Sequence, residues 1–244
     1  MYSDSDAAAL YDTLNPWGDN DAFYLAHVLR ARAALDVGCG TGRLLHRARD
    51  AGHPGRLTGI DPDRAALDRA RRRTDVEWVE GTAADIGGQA EFDLATMASN
   101  AFQCLVSDED LHASLTAIRA ALTDDGRFVF ETRNPAAEQW RDWHPGNAVD
   151  VTDRHGRELR VLHRVESAER GLVTFTETTA TRDGVPLRTD RATLRFLTEP
   201  ELRAALAAAG FTVADVRGGW HGEPLTDTCL SIVVTAEPAG APAR

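Results

Sequence analysis

The chain has 244 residues, 43% hydrophobic and 27% charged, the composition of a folded globular protein and not of a disordered or fibrous segment. Its 38 acidic against 27 basic residues leave a formal charge of −11, which argues against non-specific binding to nucleic acid or to an anionic membrane, both of which rest on excess cation. Every basic residue is an arginine, so Schiff-base chemistry, pyridoxal phosphate attachment and a P-loop lysine are excluded.

The first twelve residues are acidic and show none of the zones of a signal peptide. No apolar run approaches the roughly 20 residues of a membrane span. Cys39, Cys104 and Cys229 form no CxxC pair, which speaks against a disulfide framework or a cysteine zinc site. A soluble, cytoplasmic protein is the expectation.

In chain order, residues 21–31 have the period of an amphipathic helix, and 34–37 read as a buried strand that runs into a glycine turn. A helix over 43–51, a strand at 57–60 and a helix over 63–73 follow. Strands at 76–79 and 93–97, a helix over 111–122 ended by Asp124-Asp-Gly126, and a strand at 127–132 continue the alternation. Such a pattern specifies a parallel sheet with helices on both faces. From 140 to 196 the helical period vanishes, and segments at 159–165, 172–181 and 187–196 alternate instead. The turns between them fall at Glu169-Arg-Gly171 and Asp183-Gly184, as in an antiparallel meander. A helix over 199–209, opened by Pro200 and closed by Gly210, and strands at 211–216 and 229–236 complete the expected sheet. Residues 237–244 read as a frayed tail. Residues 1–139 with 197–244 therefore form an α/β portion, Rossmann-like, with seven mostly parallel strands; 140–196 form an inserted antiparallel portion.

The most informative stretch is Asp36-Val-Gly38-Cys39-Gly40-Thr-Gly42, where a strand passes through glycines into a helix. Glycines there let the backbone turn sharply and approach a ligand, and the helix start offers free N–H groups. A dinucleotide turn would place its third glycine at 43, which is Arg43, so the pyrophosphate reading is weakened. Asp36 would repel a pyrophosphate and attract a cation. About 20 residues on, the second strand ends in Asp61-Pro62, and a carboxylate there can accept the hydroxyls of a ribose.

These residues, with the loop from Gly81 to Asp85, resemble the class I S-adenosylmethionine-dependent methyltransferases. The resemblance implies S-adenosylmethionine as cofactor, with S-adenosylhomocysteine as product. Asp36, Gly38, Cys39, Gly40 and Gly42 would hold its amino-acid end, and Asp61 with Pro62 its ribose. The adenine contact falls to Thr82, Ala83 or Asp85, since the family's usual aspartate after the third-strand glycine is Thr82 here. Met97 and Ala98 would close the donor site. The sequences 98–103 and 131–135 after the next two strands resemble those of the glycine N-methyltransferase-like branch, which implies that Asn100 orients the acceptor and Arg133 pairs with a substrate carboxylate. Salt bridging of Arg133 to Glu131 or an aspartate is the structural alternative, and local capping is that of Asn100.

Tyr11 and Trp17 either lie over the cofactor, where a sulfonium would gain from a ring face, or pack the first helix onto the sheet. His144, His155, His163 and His221 are the candidate bases, although none has metal-ligand spacing. The Arg71-Arg-Arg73 run reads as structural, suited to a helix C-terminus. The expected activity is methyl transfer to a small-molecule amine or carboxylate-bearing acceptor, with neither nucleic acid nor membrane as partner. A nicotinamide-dependent oxidoreductase and a non-catalytic S-adenosylmethionine-binding protein are the alternatives.

Overall fold

The computed structural model describes residues 2–240. The chain opens with two helices, α1 (Asp4–Leu14) and α2 (Asp19–Val28). β1 (Ala33–Val37), α3 (Arg43–Asp50), β2 (Arg56–Asp61), α4 (Arg64–Ala70) and β3 (Glu77–Glu80) then form two parallel strand–helix–strand units. β4 (Phe92–Met97), α5 (Asp108–Ala121) and β5 (Leu122–Arg133) follow, and α6 (Glu199–Ala208), β10 (Phe211–Arg217) and β11 (Ser231–Pro238) close the fold. Between β5 and α6 come β6 (Val149–Thr152), β7 (Glu158–Glu169), β8 (Leu172–Thr181) and β9 (Pro186–Arg195).

The main sheet has the order β10-β11-β5-β4-β1-β2-β3, with β1 to β5 parallel and β11 antiparallel to both of its neighbours. β1, β2 and β4 are buried almost throughout because helices cover both faces. On one face Tyr24 and Val28 of α2 and Leu44, Leu45 and Ala48 of α3 pack against Ala34, Leu57, Leu94 and Val129. On the other, Leu111, Leu115 and Ile118 of α5 and Leu202 and Leu206 of α6 pack on Leu35, Phe128, Phe130 and Ile232. The strand order reverses between β1 and β4, which opens a crevice at their carboxyl ends.

The second sheet, in the order β6-β7-β8-β9, is antiparallel throughout, and Asp183-Gly184 turns its last hairpin as expected. β6 has no counterpart in the sequence reading, since Val149–Thr152 is too short and too polar to show a period. α1 has none either. Its start is set by a reciprocal cap: the Ser3 hydroxyl accepts the Asp6 N–H at 3.2 Å and the Asp6 carboxylate accepts the Ser3 N–H at 3.4 Å. α1 packs Leu10, with Ala7 and Leu14, on Leu159 and Val161 of β7.

Several boundaries move. β5 begins at Leu122, and Asp124-Asp-Gly126 is a bulge in it, because Phe92 pairs with Leu122 while Leu94 pairs with Arg127. α4 stops at Ala70, so Arg71 to Arg73 lie just beyond it. β11 runs to Pro238, which places the first two residues of the expected frayed tail in the sheet, paired with β10; residues 241–244 lie outside the described residues. Among the described residues, no helix is long and apolar enough to cross a membrane.

Gly42 caps α3 at φ +78°, and a Cβ built there would lie 2.5 Å from Trp78 Cη2 and 2.9 Å from Ala70 Cβ. Gly42→Ala is therefore expected to cost more than about 2 kcal/mol of stability in urea unfolding. Gly52→Ala, at φ +85° with nothing within 4 Å, is expected to cost only about 1 kcal/mol. Equal costs at the two positions would show that packing on Trp78 is not what restricts Gly42.

Candidate active site

Asp36 and Asp61 lie at the carboxyl ends of adjacent strands, β1 and β2. In the register Asp36 lies opposite Gly59 on one side and Thr96 on the other, and Asp61 opposite Glu80. The turn that follows β1 passes through left-handed residues at Gly38, Gly40 and Gly42. The Gly38 and Cys39 N–H groups donate to the Ile60 carbonyl at 2.8 and 3.1 Å, which locks the turn against β2.

Asp61 has two backbone partners. Its Oδ2 accepts the Gly40 N–H at 2.7 Å and its Oδ1 the Asp63 N–H at 2.8 Å. One carboxylate thus joins the turns after β1 and β2, and each oxygen keeps a second lone pair. Burial raises its pKa against the lowering effect of those two bonds. Pro62 follows at an exposed position.

Asp36 is 3% exposed, and its Oδ1 accepts the Thr96 hydroxyl at 2.9 Å. No arginine or histidine lies within ion-pair distance of it among the described residues. Burial, with the neighbouring charges of Asp61 and Glu131 adding to it, pushes its pKa up to about 7.

Glu131, two residues before Arg133, is 1% exposed and takes the phenol of Tyr24 on Oε2 and the Asn100 N–H on Oε1 at 3.0 Å. Its pKa is also pushed up to about 7, by burial. Sequence reasoning named Glu131 only as a partner for Arg133. An acid in the apolar run Phe128-Val-Phe-Glu was the available signal, since a buried acid needs a specific reason.

The loop after β4 carries Ser99 at φ +56° and Asn100 at φ +59°, two consecutive non-glycine residues in the left-handed region. Glu131 holds this loop through the Asn100 N–H and the Ser99 backbone. The Asn100 side chain makes no cap bond, and its Oδ1 is buried without a partner. Gln103, fully buried, bridges the two sheets: its Nε2 donates to the Arg195 carbonyl at 3.1 Å and its Oε1 accepts Arg133 Nη1 at 2.7 Å. The Arg133 guanidinium also lies 5.3 Å from the Trp143 ring centroid. Arg133 has no carboxylate within 4 Å among the described residues, so the salt-bridge alternative is not what the structure shows. Burial lowers its pKa. Gln103 and Trp143 are the partners that sequence reasoning missed.

Not every expected residue comes to the crevice in the same way. Met97 is buried at the end of β4 and Ala98 follows it half-buried. Thr82 and Asp85 form a local cap, with the Thr82 N–H and hydroxyl both donating to Asp85 Oδ2 at 2.8 and 2.7 Å, around the buried Ala83. Cys39 is buried, and burial raises its thiol pKa. The Tyr11 phenol reaches over from α1 to lie beside the Ser99 hydroxyl, within electrostatic range of Arg43, Arg133 and Glu131. Trp17 packs beside α2 and α3, its ring 5.8 and 5.2 Å from the guanidinium carbons of Arg43 and Arg47. The histidines are engaged elsewhere: His155 with Asp6, His163 with Glu177, His221 with Asp19, and His144 Nδ1 with the Gly146 N–H. No cluster that could hold a metal ion occurs among the described residues.

Residues 34–126 match the family described as a methyltransferase domain. The chain is 29% identical to the cypemycin N-terminal methyltransferase of a Streptomyces species, over 96% of both chains. It is 31% identical to the 2-phytyl-1,4-naphtoquinone methyltransferase of Thermosynechococcus vestitus, over 61% of this chain and 72% of that one. The S-adenosylmethionine-bound structure of CalS10, an amino pentose methyltransferase from Micromonospora echinaspora, superposes with a TM-score of 0.68 at 25% identity, covering 96% of this chain and 98% of that one. With a strand order that reverses at a glycine turn and an acid closing β2, these likenesses set the oxidoreductase alternative aside, and the chain belongs to the class I S-adenosylmethionine-dependent methyltransferases.

Proposed function

We propose that this enzyme methylates the amine of a small molecule that also carries a carboxylate, in the manner of the glycine N-methyltransferase-like branch. The observation behind this reading is Arg133, a largely buried guanidinium held by Gln103 and Trp143 with no carboxylate within 4 Å among the described residues. Burying an unpaired cation is costly, and a carboxylate docked in bidentate fashion would offset that cost. Nitrogen as acceptor is supported by relatives named for an N-terminal and an amino-sugar substrate.

The crevice suits a cationic donor. A Cβ built at Gly40 meets nothing within 4 Å, and Asp36 and Glu131 are buried carboxyls without a cationic partner. Asp36 and residues 38–42 hold the amino-acid end, Asp61 the ribose through its free lone pairs, and Thr82, Ala83 and Asp85 frame the adenine. Met97 and Ala98 wall the reacting end. S-adenosylmethionine, when bound, supplies an electrophilic methyl group and leaves as S-adenosylhomocysteine.

The contribution of the chain is placement. Asn100 Oδ1, buried and unpartnered, accepts an N–H of the acceptor and so turns its lone pair toward the donor. Glu131 keeps Asn100 in its left-handed conformation, and Tyr11 covers the crevice beside Ser99. No histidine is placed as a base; desolvation in the closed site favours the neutral amine instead. Residues 140–196 form a substrate-covering subdomain, with Trp143 under the Arg133 guanidinium.

Three outcomes are expected. In a screen of amines read by S-adenosylhomocysteine release, Arg133→Ala raises KM for carboxylate-bearing acceptors about tenfold or more and leaves neutral amines unchanged. Equal effects on both sets would remove the carboxylate from the proposal. Gly40→Ala, by calorimetric titration, weakens S-adenosylmethionine binding while costing only about 1 kcal/mol of stability, because the added methyl occupies ligand space and not protein space.

The third outcome concerns pH. Asp36 and Glu131 have folded pKa values above their unfolded ones, so the stability they contribute is full below about pH 4 and lost as pH rises through about 7. The melting temperature of the ligand-free enzyme should fall from about pH 5 to about pH 8, and Glu131→Gln should flatten that slope. A flat profile in the unmodified enzyme would mean that these acids are ionised when buried.

A further inference from the structure

A second concave feature lies behind the glycine turn, in the groove between α3 and the turn that ends α4. It has a volume of about 600 Å³, and five arginines line it: Arg43, Arg47, Arg69, Arg72 and Arg73. Three carboxylates share its wall, Asp12, Asp50 and Asp75. The excess of cation is local, in a chain whose formal charge is −11.

The three acids are already taken. Arg73 holds both Asp50 and Asp75. Asp12 is shared, accepting the Thr41 hydroxyl at 2.7 Å and Arg69 Nη2 at 3.1 Å. Arg43 turns away to Asp21 at 3.0 Å and to the Asn15 carbonyl. Two guanidiniums have no carboxylate, although the face of Arg47 rests on the Trp17 ring. Arg47 on α3 and Arg72 beyond α4 both line the groove, both are exposed, and neither has a carboxylate within 4 Å among the described residues. A further donor is idle, for Arg69 Nε is buried with no acceptor.

We propose that this groove is an anion site for a diphosphate group, free or carried on a nucleoside. The guanidinium fork matches phosphate oxygens in bidentate geometry, and with no lysine in the chain every cation of the groove is a fork. Unsatisfied forks come from both walls, so the site suits two linked phosphates better than one. The volume exceeds that of a single phosphate several times over, which leaves room for a nucleoside. None of the proposed acceptor residues lines this groove, so the site is separate from Arg133.

The test is calorimetric titration of the full chain with inorganic pyrophosphate and, in a second arm, with ADP, both at about 0.15 M salt. Saturable binding is expected in both arms. The double variant Arg47→Gln/Arg72→Gln should weaken it by about tenfold or more, and Arg133→Ala should leave it unchanged. Both groove arginines are exposed and neither pairs with a carboxylate, so the double variant should keep its affinity for S-adenosylmethionine and lose in stability no more than the contact of Arg47 with Trp17. Arg47→Lys/Arg72→Lys, which keeps the charge without the fork, should bind more weakly than the unmodified chain. Absence of saturable binding, binding retained in the double variant, or binding lost in Arg133→Ala would each overturn the proposal. So would capture of heparin with no binding of pyrophosphate, since that marks a general polyanion surface.

Discussion

The structure turns on the burial of negative charge at one end of the main sheet. Asp36, Thr96 and Glu131 lie on adjacent strands and point to the face that α2 covers, where Tyr24 closes over Glu131. Asp61 ends the neighbouring strand. Two of these acids hold backbone in place as acceptors: Asp61 joins the turns after β1 and β2, and Glu131 holds the strained residues 99–100. The same burial disfavours their charged forms. The protonated forms of these acids therefore cost the fold less than their carboxylates would.

The N-terminal helix carries that constraint outward. At one end α1 is tied to the second sheet, through Asp4 with Arg188 and through Asp6 with Arg154, Arg157 and His155. At the other, Asp12 reaches Thr41 in the glycine turn and Arg69 on α4. Exposed ion pairs contribute little singly. Here they accompany an apolar contact, Leu10 on Leu159 and Val161, and fix where the helix lies. Tyr11, one position before Asp12, therefore arrives beside Ser99, so the glycine turn and the loop after β4 are linked through a helix that also rests on the antiparallel sheet.

Arg133 shows why a side chain's partners resist reading from a linear chain. Its neighbours in sequence are an acid and an amide, and an ion pair with Glu131 was a fair expectation. Glu131 is occupied by Tyr24 and by the loop after β4, which are distant in sequence, and Arg133 is held instead by Gln103 and Trp143. Trp17 is a second case. Its ring packs against the cluster between α2 and α3, with two guanidiniums of α3 beside it.

The alternation of buried strands and amphipathic helices, the glycine turn, and the acid about 20 residues beyond it were legible in the amino-acid order, because they depend on local periodicity and on backbone conformations that few residue types adopt. The meander was legible for the same reason, although β6 and α1 were not: one is too short to show a period, and the other is held by contacts with strands more than a hundred residues away. Which acids are buried and which arginines lack a carboxylate were settled only when the sheet closed. Charge pairing depends on distance in space, and a sequence orders its residues along a line.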